Sequence, residues 1–105
     1  MRYEWSDEKN RLNQREHGIS FELATLVFED EHCLVYMDRI DKHTGERRWI
    51  ALGKAQPTLD AAILLLVAHV YRENERGEEI IRIISAREAE KRDIRRYQAQ
   101  TLDED

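Results

Sequence analysis

The stretch that decides the fold is Ala61–Ile84, AAILLLVAHVYRENERGEEIIRII, in which two dense apolar runs are separated by a polar turn. The first run, Ala61–Tyr71, is apolar at both odd and even positions. This pattern is typical of a central strand covered on both faces, although a buried helix fits it as well. Asn74–Gly77 predicts a turn and Ile80–Ile84 a second strand, which would pair with the first in an antiparallel direction.

Two more strands are predicted upstream of this stretch. Cys33–Arg39 is rich in β-forming residues, and a polar loop around Gly45 leads from it into Arg47–Gly53, which indicates a hairpin. Lys54–Thr58 contains the only proline of the chain and is predicted to be a connection.

The N-terminal part predicts a short edge strand, Arg2–Trp5, followed by two helices. Ser6 is a good N-cap for the first helix, which should end before Gly18, a residue that readily takes a left-handed C-cap conformation. Ser20 can cap the second helix. The second helix carries a broad apolar stripe that should lie on the sheet, made of Phe21, Ala24, Leu26, Val27 and Phe28.

At the C-terminal end, Ser85 and Glu88 form an S-x-x-E capping box that predicts a last helix extending to about Gln100. Consecutive strands with short links favour an antiparallel sheet of four to five strands. Two N-terminal helices and one C-terminal helix would pack against it in an α+β domain. Residues 1–100 should form this single domain, and residues 101–105 a frayed acidic tail.

Composition excludes several classes of protein. Cys33 is the only cysteine, which excludes an internal disulfide and a cysteine-cluster metal site. No apolar run has the length of a membrane span, and the N-terminus lacks the apolar stretch of a signal peptide. We therefore expect a soluble cytoplasmic protein that has no contact with membranes.

The charge of the chain is unevenly distributed. The net charge of -5 argues against a general nucleic-acid binder, yet Ile80–Tyr97 holds six basic and three acidic residues. A basic face on an acidic body can hold a phosphate backbone. The alternative is an ordinary solvated helix face with pairs such as Glu88 and Arg92.

The candidate chemical groups are histidine, arginine and tyrosine residues near the predicted strand ends. The sequence contains no phosphate-binding glycine loop, zinc-ligand cluster or nucleophile elbow. His69 interrupts the apolar run and could act as a general acid or base, with Arg72 following at the strand end. The alternative is that His69 is a structural, hydrogen-bonded residue. Such groups would cleave RNA without a metal or a cofactor, because imidazole can move the protons and arginine can bind the phosphate.

Arg82, Arg87 and Tyr97 complete the predicted catalytic set. Arg82 interrupts Ile80–Ile84, and its charge needs a partner, either Glu46 or a phosphate. Arg87 would fall in the first turn of the last helix, where the helix dipole disfavours a cation, and this weakly indicates a ligand. Tyr97 could stack on a base or anchor the helix.

Three motifs in order resemble the BrnT family of ribonuclease toxins and together span about Arg2 to Tyr97. The middle signature E-R-x-x-x-x-G is matched by Glu46, by Arg47 or Arg48, and by Gly53, and I-R-I-I-S-A-R stands intact at Ile81–Arg87. Glu16 stands where the family usually has lysine. The N-terminal pattern W-x-x-x-K-N-x-x-N-x-x-x-H-G-[IV]-S-F-E is matched by Trp5, Lys9, Asn10, Asn13, His17, Gly18, Ile19, Ser20, Phe21 and Glu22.

The resemblance implies a RelE-like fold and an endoribonuclease that arrests growth by cleaving RNA. It also implies neutralisation by a BrnA-type antitoxin, which folds on the toxin and binds the operator DNA. The RNA-binding residues would be Lys9, Arg92, Arg95 and Arg96. The rival interpretation is a regulatory module, or a degenerate toxin, whose basic last helix only docks a partner protein.

Overall fold

The computed structural model describes residues 1–102 and forms one five-stranded sheet with helices on both faces. The predicted acidic tail lies mostly outside the described residues: the backbone of the last helix reaches Leu102, and nothing is described beyond it. The elements in chain order are β1 Arg2–Glu4, α1 Asp7–His17, α2 Phe21–Thr25, a 3₁₀ helix Leu26–Glu29, β2 Leu34–Ile40, β3 Arg47–Thr58, β4 Ala61–Glu73, β5 Glu79–Glu88 and α3 Lys91–Leu102.

The sheet has the strand order β1-β5-β4-β3-β2 and is mixed. Three successive hairpins join β2 to β5 in antiparallel pairs, but β1 runs parallel to β5, with Glu4 opposite Arg82. The prediction of a purely antiparallel sheet is therefore wrong. Short turns fix the direction of hairpin partners. No turn joins β1 to a neighbouring strand, because two helices follow it, so its direction is set by tertiary packing.

The prediction of a central strand at Ala61–Tyr71 is confirmed, and the buried-helix alternative is wrong. This segment is β4, which continues to Glu73 and has a neighbouring strand on each side. Leu65 and Val67 pack into the core under the N-terminal helices, whereas Leu66 and Ala68 belong to a second cluster on the other face. Burial on both faces explains why the sequence shows no alternation of apolar and polar residues.

The caps predicted for the first two helices are confirmed. The Ser6 hydroxyl accepts a hydrogen bond from the Lys9 N–H at 3.3 Å, and Gly18 ends α1 with a φ of 70°. The Ser20 hydroxyl caps α2 in the same way at 3.1 Å. The second helix is shorter than predicted, because the apolar stripe continues as the 3₁₀ helix from Leu26.

Two predicted element boundaries are wrong. Lys54–Thr58 is not a connection but the end of β3, and Pro57 is accommodated at an irregularity of the ladder between Ala55 and Thr58, where a missing N–H is tolerated. Residues 85–88 do not open the last helix but pair in β5 with Leu65–Ala68. The backbone groups of the long β4 strand need this partner, and that need overrides the local capping signal.

The start of α3 is instead fixed by Asp93, whose Oδ2 accepts a hydrogen bond from the backbone N–H of Glu90 at 2.9 Å. A side chain in the first turn thus reaches back to the residue before the helix, as in half of a capping box. None of the helices within residues 1–102 combines the length and the apolar composition that a membrane span needs.

The two faces of the sheet are covered unequally. One face packs against α1, α2 and the 3₁₀ helix, and Phe21 and Ala24 of α2 and Val27 of the 3₁₀ helix are fully buried in this interface. On the other face, here called the open face, Tyr97 of α3 packs into a smaller cluster with Ile50 and Leu52. The part of the open face beside α3 is left uncovered and forms a groove.

Candidate functional site

The groove on the open face has a volume of about 640 Å³. Its floor is made of sheet residues that include Ile50, Leu66, Ala68 and Ser85, and α3 lines one side of it. His17, the last residue of α1, is also part of its lining. The charged side chains of its lining are Arg48, Arg87, Arg92 and Arg96 with Asp38 and Asp93.

The groove is cationic although the whole chain is acidic. Four arginines outnumber two aspartates in its lining, whereas the chain as a whole carries a net charge of -5. A concave surface of one sign concentrates its field and attracts ligands of the opposite sign. The groove is therefore suited to a polyanion, and arginine matches the geometry of phosphate oxygens with paired N–H donors.

Arg87 lies near the end of β5 and is held in place by acidic residues of α3 and of the turn before it. Its Nη1 is 3.5 Å from Asp93 Oδ2 and 3.9 Å from Glu90 Oε1. Asp93 is buried, whereas about a third of the Arg87 side chain, 34%, remains exposed. The guanidinium has five N–H donors, so it can bind a ligand while it keeps these contacts. The helical position predicted for Arg87 is wrong, because the residue belongs to a strand.

Arg48 of β3 lines the groove and was not predicted as a site residue. Its Nε is 3.4 Å from Asp38 Oδ2. Burial lowers the pKa of Arg48, and the charge of Arg39 lowers it further, whereas Asp38 raises it. The pKa of an arginine lies so far above neutral pH that Arg48 stays charged despite this lowering, and it therefore supplies a fixed cation. The alternation of Arg48 with apolar Ile50 along one face of the strand was the signal that could have indicated it.

Two predicted RNA-binding residues of α3 come together in the groove, and a third does not. Arg92 and Arg96 are one helical turn apart and both line the groove. The Arg96 guanidinium carbon lies 3.9 Å from the centroid of the Tyr36 ring, a cation–π contact that orients it. Arg92 makes no ion pair with any residue that the structure describes. Arg95 is exposed and is not part of the lining.

His17 also lines the groove, although the sequence analysis named it only as part of the N-terminal motif and not as a site residue. Its side chain is 42% exposed, and its Nε2 is 4.0 Å from Glu16 Oε2. The histidine that precedes glycine in the N-terminal motif was the available signal. Nothing in the sequence showed that this helix ends at the groove.

Asn13 fixes the end of α1 to the sheet next to the groove. Its Nδ2 donates to the Ala86 carbonyl at 2.7 Å, and the Ala86 N–H donates to its Oδ1 at 3.1 Å. The same Nδ2 donates to the Ile19 carbonyl at 2.8 Å. Because Ala86 precedes Arg87 in β5, this buried amide sets the position of His17 relative to Arg87.

The structure places His69 outside the groove. The residue is fully buried under the 3₁₀ helix, with its ring 4.9 Å from that of Phe28 and 5.1 Å from that of Tyr71. Its Nδ1 is 3.2 Å from the Val67 carbonyl. Burial lowers the pKa of His69, and the contact with Val67 opposes this only in part. The side chain is thus a neutral part of the core.

Four other predicted site residues also lie outside the groove lining. Arg82 pairs with Glu4 at 3.6 Å rather than with Glu46, and it is Arg72 that pairs with Glu46, also at 3.6 Å. Lys9 lies in the first turn of α1. Tyr97 is the fourth of these residues.

Tyr97 anchors α3 to the segment before β2. Its ring packs in the cluster of the open face, and its hydroxyl donates to Asp30 Oδ2 at 2.6 Å. Burial disfavours ionisation of Asp30, but hydrogen bonds from Tyr97 and from the backbone of His32 and Lys54 outweigh it and lower its pKa. Burial and the same hydrogen bond raise the pKa of Tyr97.

Comparison with known proteins identifies a family that this chain matches. The sequence model of a family described as "Ribonuclease toxin, BrnT, of type II toxin-antitoxin system" matches residues 5–93. No curated protein matches the chain. The matched segment includes His17, Arg48, Arg87 and Arg92 of the groove. Within residues 1–102, no group of three or more histidine, cysteine, aspartate or glutamate side chains is arranged to hold a metal ion.

Proposed function

This chain belongs to the BrnT family of ribonuclease toxins of type II toxin–antitoxin systems, and we propose on that premise that it is an endoribonuclease that cleaves RNA in the groove of the open face. Membership of a type II family implies an antitoxin partner. The observation that carries the assignment to the groove is the set of four arginines that line it in a chain of net charge -5.

Single-stranded RNA would lie along the groove with its phosphates on the arginines. Arg48 and Arg87 are each held by an aspartate, so their donors are oriented before substrate binds, which is the condition for strong electrostatic stabilisation of a transition state. We assign the scissile phosphate to this pair. Arg92 and Arg96 of α3 would hold the neighbouring phosphates.

The proposed reaction uses the RNA's own ribose. The 2′-oxygen forms a bond to the adjacent phosphorus and loses its proton, the bond from phosphorus to the 5′-oxygen breaks, and that oxygen gains a proton. The products are a 2′,3′-cyclic phosphate and a 5′-hydroxyl. Negative charge builds up on the phosphate oxygens, where the arginines stabilise it, so we propose that the reaction needs neither a metal nor a cofactor.

The predicted catalytic set is revised in this proposal. Arg87 keeps its role, and Arg48 takes the place given to Arg72 and Arg82, which pair with glutamates elsewhere. His69 has a structural role in the core, and Tyr97 anchors α3. We retain the RelE-like fold as part of the proposal, supported by a mixed sheet that carries a basic groove next to its last helix.

The partner in this proposal is a BrnA-type antitoxin that covers the groove and so blocks RNA. Operator DNA would meet the toxin only through the antitoxin, and the complex would act in the cytoplasm.

The direct test is incubation of the purified chain with RNA in the presence of EDTA. We expect fragments that end in 2′,3′-cyclic phosphate. Induced expression should arrest growth, and co-expression of the neighbouring gene should relieve the arrest. Intact RNA and unaffected growth would contradict the proposal and favour a module that only docks a partner through its basic last helix.

A further inference from the structure

We infer that His17 is the general acid of the proposed cleavage and protonates the leaving 5′-oxygen. This inference rests on the proposed function and goes beyond it, because the arginines of the groove account for charge stabilisation but not for proton transfer. The observation behind it is that, among the residues that the structure describes, His17 supplies the only imidazole in the lining of the groove.

Both carboxylates of the groove lining are already engaged. Asp38 is paired with Arg48, and Asp93 is paired with Arg87 while it also accepts the Glu90 N–H. Arginines remain protonated near neutral pH and cannot exchange a proton there. The phenol of Tyr36 also lines the groove, but its ring is stacked against the Arg96 guanidinium. Imidazole is the side chain best suited to give up a proton near neutral pH.

His17 is held firmly and remains accessible. It lies one turn beyond Asn13, whose amide is bonded to Ala86, so the end of α1 cannot drift from the strand that carries Arg87. Gly18, with its φ of 70°, ends the helix directly after it. Because the His17 side chain is 42% exposed, a substrate in the groove can reach the ring.

His17 is the last residue of α1, where a helix favours a cation, and its Nε2 lies 4.0 Å from Glu16 Oε2. The titratable and charged groups that line the groove with His17 are Tyr36 and Asp38 of β2, Arg48 of β3, Arg87 of β5, and Arg92, Asp93 and Arg96 of α3.

In the proposed step, the imidazolium of His17 gives its proton to the 5′-oxygen as the bond between that oxygen and phosphorus breaks. The proton of the 2′-hydroxyl passes to water. His17 is then neutral and takes up a proton from solvent before the next turnover, so all atoms and charges balance.

The test compares His17→Asn and His17→Gln with a matched control, His43→Asn, which changes an exposed loop histidine. We expect each His17 variant to lower the cleavage rate by about 100-fold or more, and the control to stay within about twofold of wild type. The cleavage rate of the wild-type protein should fall as the pH rises, because a general acid must carry a proton, and the His17 variants should lack this fall. Thermal unfolding should show that all variants are folded.

A second substrate separates acid catalysis from a structural role. RNA with sulfur in place of the scissile 5′-oxygen has a leaving group that needs no proton, so it should restore the His17 variants to within about tenfold of wild type. An unrestored rate would overturn the assignment. If His17→Asn cleaves normally while Arg87→Ala does not, the inference fails and the proposed function stands. If wild-type protein cleaves no RNA, both fail.

Discussion

The side-chain amide of Asn13 and the backbone of Ala86 form two hydrogen bonds, at 2.7 and 3.1 Å, between residues 73 positions apart in the chain. The geometry is like that of a strand partner, with one donor and one acceptor on each side. It joins the helix that ends in His17 to the strand that carries Arg87. The second asparagine of the N-terminal motif, Asn13, thus has a structural explanation.

Replacement of Asn13 by alanine should therefore destabilise the protein. The change leaves the Ala86 N–H and carbonyl and the Ile19 carbonyl without their partner, which should lower the free energy of unfolding by about 2–4 kcal/mol. Urea unfolding monitored by circular dichroism measures this. Arg11→Ala, an exposed change in the same helix, should be nearly neutral. Equal effects of the two changes would contradict the role given to Asn13.

The buried His69 should make the protein sensitive to mild acid. Burial lowers the pKa of His69 below its ordinary 6.5, so the unfolded chain binds a proton first as the pH falls below that value. Stability should therefore decrease as the pH falls from about 7 to about 5. His69→Leu should reduce this decrease, whereas His43→Asn should preserve it. Unfolding free energies at several pH values provide the measurement, and identical slopes for His69→Leu and wild type would refute the explanation.

The bond between Tyr97 and Asp30 should stabilise the docking of α3. Tyr97→Phe removes a hydrogen bond to a carboxylate and should cost about 1.5–3 kcal/mol near neutral pH. Because the folded-state pKa of Asp30 is lowered, the stability that this carboxylate contributes is present above its ordinary pKa and is lost as the pH falls through the lowered value. A double-mutant cycle with Asp30→Asn measures the coupling, and a coupling of zero would show that the bond contributes nothing.

The salt dependence of RNA binding should reflect the number of phosphates that the groove arginines contact. Each phosphate contact to single-stranded RNA contributes about -0.7 to the slope of log affinity against log salt, so four arginines predict a slope of roughly -2 to -3. Arg92→Ala should make the slope less steep by about 0.7, whereas Arg95→Ala on the same helix should not change it. Fluorescence anisotropy at several salt concentrations checks this. A larger effect of Arg95→Ala would place the RNA elsewhere.

Local signals in the sequence predicted much of the fold. The apolar run of β4 and the caps Ser6, Gly18 and Ser20 depend on residues close in the chain, and these predictions are confirmed. Contacts between distant segments decided the rest. The parallel pairing of β1, and the continuation of β5 past Ser85, depend on which backbone groups meet in the sheet.

The same distinction between local signals and distant contacts explains which residues of the candidate site were predicted. Arg87, Arg92 and Arg96 were named from a basic segment, and the structure brings them together. Arg48 and His17 were named only as motif matches and not as site residues, because their presence in the groove depends on which part of the sheet the helices leave uncovered. His69 was named because it interrupts an apolar run, a pattern that does not reveal which face of the strand is accessible.

The central claim is that the groove of the open face is where RNA is cleaved. The most direct measurement compares the cleavage rates of two double variants, Arg87→Ala with Arg92→Ala, and Arg82→Ala with Arg95→Ala, which remove the same charge inside and outside the groove. We predict a loss of about 100-fold or more for the first and a rate within about threefold of wild type for the second. Equal losses, or a larger loss for the second pair, would contradict the claim.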